Sequence, residues 1–322
     1  IEIKKDGITA WGESAPGKTE GASSAKEVKD HLIRLINSDI NTLSIYEVHQ
    51  RCKDLNIPPC AQAAIDVALW DLKAKEAKMS LKDLLGLPSP QVPSSITVGI
   101  NPPEIIKERV EIILSNPQVK ALKIKLGSPK GIEYDQLIYS QVIESAGKSN
   151  VAIRVDANGG WSLDEAQFMM KWLSQRKAEY IEQPLIEGDE DKLKFLFKGR
   201  PLPIFIDESC RAAEDVANFH HNVDGINLKL MKCGGITEAI KILNVAKSHS
   251  LKTMIGCMSE SSISISAGAS ISGIIDYVDL DSHYNLDPDP SEGSEMVNGI
   301  TMTNSKYGHG ANLKKEYYDK ID

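Results

Sequence analysis

The stretch ALKIKL at residues 121–126 places two lysines, Lys123 and Lys125, inside an apolar, strand-like run. Three later runs of the same kind each end in an acid, at Asp156, Glu182 and Asp207. A buried strand of a parallel sheet normally carries Val, Ile or Leu throughout. Burying an unpaired charge costs roughly several kcal/mol or more. Charges at successive strand ends therefore predict a shared functional site.

The segments around these runs alternate, from about Ser94, between short β-branched runs and helical patterns. This alternation indicates repeated βα units and a parallel sheet. Eight strands are predicted, at residues 96–100, 121–126, 151–156, 180–182, 204–207, 225–230, 252–257 and 277–281. Eight such strands predict a closed barrel of the (β/α)₈ type, in which active sites form at the carboxyl ends of the strands.

The predicted fold class is therefore α/β, a (β/α)₈-type barrel with an α+β capping domain. We assign residues 94–284 to the barrel, and residues 1–93 with the returning segment 285–322 to the cap. Residues 2–16 predict a hairpin, two helices are expected after it, the second over residues 59–78, and residues 300–303 predict a short strand. Since Ile1 lies within a strand-like run, we expect a first strand of the cap to precede it.

Composition narrows the class of function. The 45 acidic residues exceed the 37 basic ones, giving a net charge of −8, which argues against a nucleic-acid or anionic-membrane surface. No apolar run approaches the ~18 residues of a membrane span, and no signal peptide opens the chain. The five cysteines form no Cys-x-x-Cys pair and predict reduced thiols in a cytoplasmic protein.

The two lysines of the first charged strand are candidate bases. Side chains of a strand alternate, so Lys123 and Lys125 point the same way, toward the barrel mouth, as do Arg154 and Asp156 on the next strand. Two ammonium groups in one small space disfavour each other. We therefore expect one of the two lysines to have a pKa below its usual ~10.4, as a general base requires. Two solvated lysines at a strand edge are the alternative.

The three acids suit a metal. Asp156, Glu182 and Asp207 end consecutive strands, and no His or Cys lies near them, so the predicted ligand set is one for a hard cation. Mg²⁺ fits best, and Mn²⁺ could substitute. A single strand-end acid is as often a helix N-cap, so the prediction depends on all three together.

A further lysine, Lys229 in the run 225–230, is predicted across the barrel from Lys125. Bases would then lie on two faces of one bound molecule. With a metal holding the substrate carboxylate, this arrangement suits removal of a proton α to that carboxylate and its return from the opposite face.

Five motifs contain these groups: Lys123-x-Lys125, Asp156-Ala-Asn158, Glu182-Gln-Pro184, Asp207-Glu-Ser209, and Lys229 followed by Gly234-Gly235. Over nearly the whole chain they resemble the muconate-lactonising subgroup of the enolase superfamily. The resemblance implies that Lys125 and Lys229 are the acid/base pair. It also implies that the three acids bind Mg²⁺, and that Lys123 adds positive charge beside the substrate carboxylate.

The predicted eighth strand narrows the substrate. Asp279 and Asp281 share one face at the barrel mouth, and subgroup members that act on dipeptides use an Asp-x-Asp pair to hold the free α-ammonium. Asp281 capping the next turn is the alternative. Thr97 is a further substrate-binding candidate. Met258 is another, because it lies in segment 256–261, which resembles the corresponding loop of dipeptide epimerases. Residues expected to support the site are Asn158, Arg154, Glu208 and Glu260.

The resemblance implies a Mg²⁺-dependent dipeptide epimerase. It would invert the α-carbon of the C-terminal residue of an L-Xaa-Xaa dipeptide by two-base 1,1-proton transfer through an enediolate. An Ala-Glu dipeptide from cell-wall peptide turnover is the substrate most common in the family, whose specificity loop we expect upstream of Ile1. Family barrels often form homo-oligomers. The alternatives are an N-acylamino acid racemase, an o-succinylbenzoate synthase, a muconate cycloisomerase, and a catalytically silent barrel that acts as a binding protein.

Overall fold

The computed structural model describes residues 1–304 and 306–320. The chain opens with an antiparallel hairpin of β1 (Glu2–Lys5) and β2 (Ile8–Trp11), close to the predicted one. Helices follow it: α1 (Ala25–Ile36), α2 (Ile45–Asp54), α3 (Pro59–Glu76) and the single turn α4 (Leu81–Leu84). Serines cap the first two, and Ser44 forms a reciprocal capping box with Glu47 at the start of α2.

The prediction of two helices in this segment is wrong, because α2 is a third full helix before the barrel. Only Val48, His49 and Cys52 of its ten residues are buried. A helix that buries so few side chains has only a weak apolar pattern in the sequence. Helix α3 is the predicted second helix. It starts with Pro59 in the first turn, where a missing N–H has no cost, and most of its side chains are buried.

The predicted fold class is confirmed, because eight parallel strands pair in chain order around a barrel. They are β3 (Ser95–Val98), β4 (Ala121–Lys125), β5 (Ala152–Asp156), β6 (Ala178–Glu182), β7 (Ile204–Ile206), β8 (Gly225–Lys229), β9 (Lys252–Gly256) and β10 (Tyr277–Val278). The first and last strands meet where Ser94 forms a parallel bridge with Val278.

Helices connect the strands and cover the outside of the barrel. They are α5 (Pro103–Ser115), α6 (Ile132–Ala146), α7 (Leu163–Ser174), α8 (Leu193–Phe197), α9 (Ala213–Phe219), α10 (Leu230–Cys233), α11 (Ile236–Ser248) and α12 (Ser262–Ile271). The four-residue helix α10 directly follows β8, and its Met231 packs into the apolar core of the cap.

A layer of aromatic side chains fills the barrel below its mouth. Tyr180 and Phe205 each lie two residues before one of the strand-end acids, so they face the interior as those acids do. The Tyr180 ring lies 4.7 Å from Phe205 and 5.0 Å from Tyr277, measured between ring centroids, and Met254 completes the cluster. This layer fills the barrel interior below the carboxyl ends of the strands.

The C-terminal segment packs on helix α12 of the barrel and also contacts β2 and α3. Its short strands are β11 (Ser291–Glu292), β12 (Ser294–Val297), β13 (Ile300–Thr303) and β14 (Asn312–Leu313). The His309 ring contacts the main-chain oxygen of Trp11 at 2.9 Å, and the main-chain N–H of His309 donates to Asp71 of α3.

Within the described residues, no helix is long and apolar enough to cross a bilayer. The five cysteines are free thiols, and Cys257 alone among them is partly exposed.

Candidate active site

Three carboxylates meet at the barrel mouth. Asp156 and Glu182 end the neighbouring strands β5 and β6, where they pair in register, and Asp207 directly follows β7. Parallel strands bring these ends to one edge, so one oxygen from each acid lies within 4.8 Å of the others. All three side chains are fully buried. The structure thus brings the predicted triad together.

This oxygen cluster fits a hard divalent cation. Buried polar atoms in folded proteins nearly always have hydrogen-bond partners. Among the described residues, however, no hydrogen bond of acceptable geometry reaches Glu182 Oε2 or either carboxylate oxygen of Asp207, although lysine nitrogens lie nearby. Three anionic oxygen donors with no His or Cys match the preference of Mg²⁺ or Mn²⁺.

Lys125 and Lys229 approach the triad from opposite sides. The Lys125 Nζ lies 2.7 Å from Asp156 Oδ2, and the Lys229 Nζ lies 2.7 Å from Asp207 Oδ2. Their strands, β4 and β8, are four places apart in a barrel of eight. The two amines therefore face each other across the space above the carboxylates. The Lys125 side chain is 25% exposed and the Lys229 side chain 7%, so both are within reach of the cavity.

Lys123 is buried, and three carboxylates surround its ammonium group. Its Nζ lies 2.8 Å from Glu182 Oε2, 3.1 Å from Asp156 Oδ2 and 2.8 Å from Asp279 Oδ2. Burial acts to lower its pKa, but Asp279, Glu182 and Asp156 outweigh burial and raise the pKa well above the usual value. Lys123 is therefore not the lysine whose pKa the like-charge argument expected to fall. That argument counted the two ammonium groups and omitted the acids around them.

The charges of the triad are not equivalent. Burial, followed by the nearby Asp156 carboxylate, raises the pKa of Glu182 to about 8. Asp156 and Asp207 are equally buried, but the adjoining lysines hold the pKa of each below its usual range. At the opposite amine, burial acts to lower the Lys229 pKa, yet Asp207 raises it above its usual value. Asp156, Asp207 and their lysines therefore hold one another in the charged form, whereas the raised pKa of Glu182 favours its neutral form.

Asp279 and Asp281 follow the short strand β10 and are both about 5% exposed. One oxygen of Asp279 faces Lys123, while its Oδ1 has no hydrogen-bond partner among the described residues. Asp281 Oδ2 accepts a 2.7 Å bond from the Thr97 main-chain N–H. Burial, with the nearby Asp279, raises the pKa of Asp281 to about 6. The pair thus offers negative charge to a cation at the mouth.

The loop after β9 carries the other candidates of this region. The Met258 N–H donates to Glu260 Oε1 at 2.7 Å, which folds the loop into a tight turn. Burial raises the pKa of Glu260 to about 8. The Met258 side chain packs against the apolar core of the cap. Thr97, another predicted substrate contact, meets Asp281 through its main chain.

The remaining predicted residues lie at different depths. The Asn158 N–H donates to Asp156 Oδ1 at 2.9 Å, although its own side chain is exposed. Glu208 lies beside the triad, and burial, then Asp207, raises its pKa. Arg154 lies one interior layer lower, where it donates to Ser95 Oγ at 2.7 Å and to the main-chain oxygen of Val278.

Sequence reasoning missed three residues that contact the triad. Asn227 donates from Nδ2 to Glu182 Oε1 at 2.7 Å, and Gln183 Oε1 accepts the main-chain N–H of Asp207 at 2.8 Å. Lys232 on α10 lies 2.5 Å from Asp207 Oδ1. Asn227 could have been found, because it lies two residues before Lys229 and so shares its face.

Comparisons with known proteins agree with this geometry. The family described as "Mandelate racemase / muconate lactonizing enzyme, N-terminal domain" matches residues 1–86, and "Enolase C-terminal domain-like" matches residues 106–317. A hydrophobic dipeptide epimerase of Flavobacteria bacterium (strain MS024-2A) is 55% identical over 98% of this chain and 90% of its own length.

Similar solved structures include dipeptide epimerases with bound ligands. A dipeptide epimerase from Enterococcus faecalis V583, complexed with Mg and L-Leu-L-Tyr, has a TM-score of 0.89 and 31% identity, over 97% of this chain and 90% of that one. A dipeptide epimerase from Cytophaga hutchinsonii, complexed with Mg and D-Ala-L-Val, has a TM-score of 0.92 and 27% identity, over 100% of this chain and 89% of that one.

Proposed function

We propose that this chain, which belongs to the mandelate racemase and muconate-lactonising enzyme family of the enolase superfamily, is a Mg²⁺-dependent dipeptide epimerase. Membership confirms the resemblance predicted from the five motifs. The observation that carries the proposal is the placement of Lys125 and Lys229 on opposite sides of three buried carboxylates. Inverting one carbon by two-base proton transfer uses a base on each of its faces, and these two lysines can serve as that pair.

Asp156, Glu182 and Asp207 would hold the metal. When bound, Mg²⁺ supplies positive charge that stabilises the extra negative charge formed as the α-proton of a carboxylate substrate leaves. Lys125 or Lys229 removes that proton, and the lysine on the other face returns one. Lys123, held by three acids, provides a fixed positive charge below the reacting carbon. Because Lys123 and the three acids are buried, water is kept away from the proton transfer.

Asp279 and Asp281 are proposed to bind the free α-ammonium of the dipeptide. The unpartnered Oδ1 of Asp279 and the buried Asp281 carboxylate, which is charged above a pH of about 6, both favour a cation there. A substrate with an acylated nitrogen has no such cation. The pair therefore favours a dipeptide over the N-acylamino acids, muconates and succinylbenzoate precursors that related enzymes use.

We propose an apolar side chain at the inverted residue. The relative that is 55% identical is named a hydrophobic dipeptide epimerase. Met258 would contact that side chain, since it lies between the mouth and the apolar core of the cap. The four lysines at the mouth already face carboxylates, which leaves no spare cation among them for a Glu side chain such as that of Ala-Glu. We place the enzyme in the cytoplasm, consistent with its five free thiols.

Incubation of the protein with L-Leu-L-Tyr and Mg²⁺ in D₂O tests the proposal. We expect ¹H NMR to show loss of the α-proton signal of Tyr and appearance of the L-Leu-D-Tyr epimer, with the Leu α-proton retained. L-Ala-L-Glu serves as the comparison substrate and should react more slowly. Chelation of the metal should stop both reactions. If no dipeptide of a mixed panel gains deuterium, the chain is not an epimerase of this kind.

A further inference from the structure

Among the lysines at the mouth in the described part of the chain, only Lys232 has an ammonium group that contacts main-chain oxygens as well as a carboxylate. It lies on α10, three residues after Lys229, and is 2% exposed. Its Nζ donates to the main-chain oxygens of Asp207, Cys210 and Asn227, the last two at 3.1 Å. The same nitrogen lies 2.5 Å from Asp207 Oδ1.

These contacts make Lys232 unsuitable as a base. An ammonium group has three protons, and four oxygens surround this one. It has no free proton or lone pair to offer a substrate, and its side chain is sealed from the cavity. Lys232 instead joins the loop after β7 to the end of β8, because its acceptors lie on both. A fixed cation at this point determines where the Asp207 carboxylate can point.

Two lysines with different roles form ion pairs with Asp207. Its Oδ2 faces Lys229 and its Oδ1 faces Lys232. Lys229 faces the cavity and is proposed to react with the substrate, so its contact with Asp207 is not a permanent one. Lys232 is buried and held by main-chain oxygens on two segments. Its contact with Asp207 Oδ1 therefore holds the carboxylate in one orientation.

We propose that Lys232 is a positioning residue, which orients Asp207 for the divalent cation and thereby sets the affinity of the triad for Mg²⁺. This inference rests on the proposed function in so far as the triad binds the metal. It does not depend on which substrate the enzyme uses. Partners that orient a metal ligand typically change metal affinity by about 10–100-fold when they are removed.

Isothermal titration of the metal-free protein with Mg²⁺, without any dipeptide, tests the proposal. We expect Lys232→Met to raise the Kd for Mg²⁺ at least about 10-fold. At limiting Mg²⁺ the variant should lose turnover by a similar factor, and saturating Mg²⁺ should restore most of it. The matched control is Leu243→Ala on α11, which removes fully buried side-chain volume away from the triad. It should lower the melting temperature and leave the Kd unchanged.

The opposite pattern would overturn the proposal. If Lys232→Met lowers the melting temperature as Leu243→Ala does but binds Mg²⁺ like the wild type, Lys232 is only structural. Tighter Mg²⁺ binding would mean that the ammonium merely repels the cation. Should Lys232→Met not fold, Lys232→Gln retains hydrogen-bond donors without the charge, and an unchanged Kd in that variant contradicts the proposal. Wild-type protein that binds Mg²⁺ but exchanges no dipeptide would refute the proposed function and leave this inference standing.

Discussion

Two buried charge clusters of this molecule differ in how their carboxylates are partnered. At the barrel mouth, lysine ammonium groups face Glu182 Oε2 and both carboxylate oxygens of Asp207, and among the described residues no hydrogen bond of acceptable geometry reaches these oxygens. At the joint between cap and barrel, Asp66 accepts from the main chain and hydroxyl of Thr237, and Glu238 accepts from His49 and from the Ala213 N–H. Both clusters are buried.

The difference separates a structural role from a functional one. A buried carboxylate whose oxygens all have partners stabilises the contact that provides them. Several buried carboxylates whose oxygens converge on one point can bind a further cation, and a hard divalent ion suits them. Burial of charge does not by itself identify a site, but convergence of several buried like charges does. The following experiments test this contrast.

The largest effect should come from a pair of isosteric substitutions, one in each cluster. Asp207→Asn removes an anionic metal ligand and should weaken Mg²⁺ binding by more than about 100-fold, beyond the effect of losing an outer partner. Asp66→Asn at the joint should leave the Kd unchanged, because no metal is proposed there. Calorimetric titration with Mg²⁺ measures both. Equal losses in the two variants would remove the distinction between the clusters.

The ammonium site should give the next largest effect. Asp281→Asn leaves the substrate cation beside a neutral amide, and losing a buried charge pair costs about 2 kcal/mol or more, roughly 30-fold in KM for L-Leu-L-Tyr. Steady-state kinetics should show the rise in KM with Mg²⁺ binding unchanged. Asp276→Asn, before β10 at the opposite end of the barrel and bonded to Thr253, is the matched control. A KM unaffected by Asp281→Asn would favour a substrate without a free amine.

The same aspartate predicts a pH dependence. Because the Asp281 pKa is raised to about 6, the side chain is charged above that pH and neutral below it. Attraction for the ammonium is therefore present above about pH 6 and lost as the pH falls. The kcat/KM profile, which reports the free enzyme, should decline below this pH. In Asp281→Asn this acidic limb should vanish, and its persistence would assign the limb to another group.

The smallest effect is expected at the joint. The Thr237 hydroxyl donates to Asp66 and accepts from Trp70 Nε1 at 2.9 Å. Thr237→Val leaves both partners unsatisfied and should lower the free energy of unfolding by about 1–3 kcal/mol, measured in urea. Turnover and Mg²⁺ affinity should not change. A loss of turnover with unchanged stability would show that the joint takes part in catalysis.

Much of the barrel and its triad could be predicted from the sequence, because a charge at the end of an apolar strand is a local signal. All eight strands lie where the runs predicted them, with boundaries shifted by at most three residues. The acids then meet because parallel strands end at one edge. Residues Asp156, Glu182 and Asp207 needed no knowledge of distant contacts.

The rest depends on contacts that no local pattern contains. Asp66 and Thr237 are 171 residues apart in the chain, so neither indicates the other. Lys232 sits on a single helical turn after a strand, where neither a period of two nor one of 3.6 fixes its direction. The pKa of one of Lys123 and Lys125 was expected to fall because the two like charges are close. For Lys123, three acids from other parts of the barrel raise the pKa instead.

The central claim is that Lys125 and Lys229 reach one carbon from opposite faces. Its most direct test is α-proton exchange in D₂O, followed by ¹H NMR, with Lys125→Ala and Lys229→Ala acting on L-Leu-L-Tyr and L-Leu-D-Tyr. We predict that neither variant interconverts the epimers, and that each exchanges the Tyr α-proton of one epimer only, a different one for each variant. Exchange of the same epimer by both variants, or epimerisation that survives either substitution, would contradict the account.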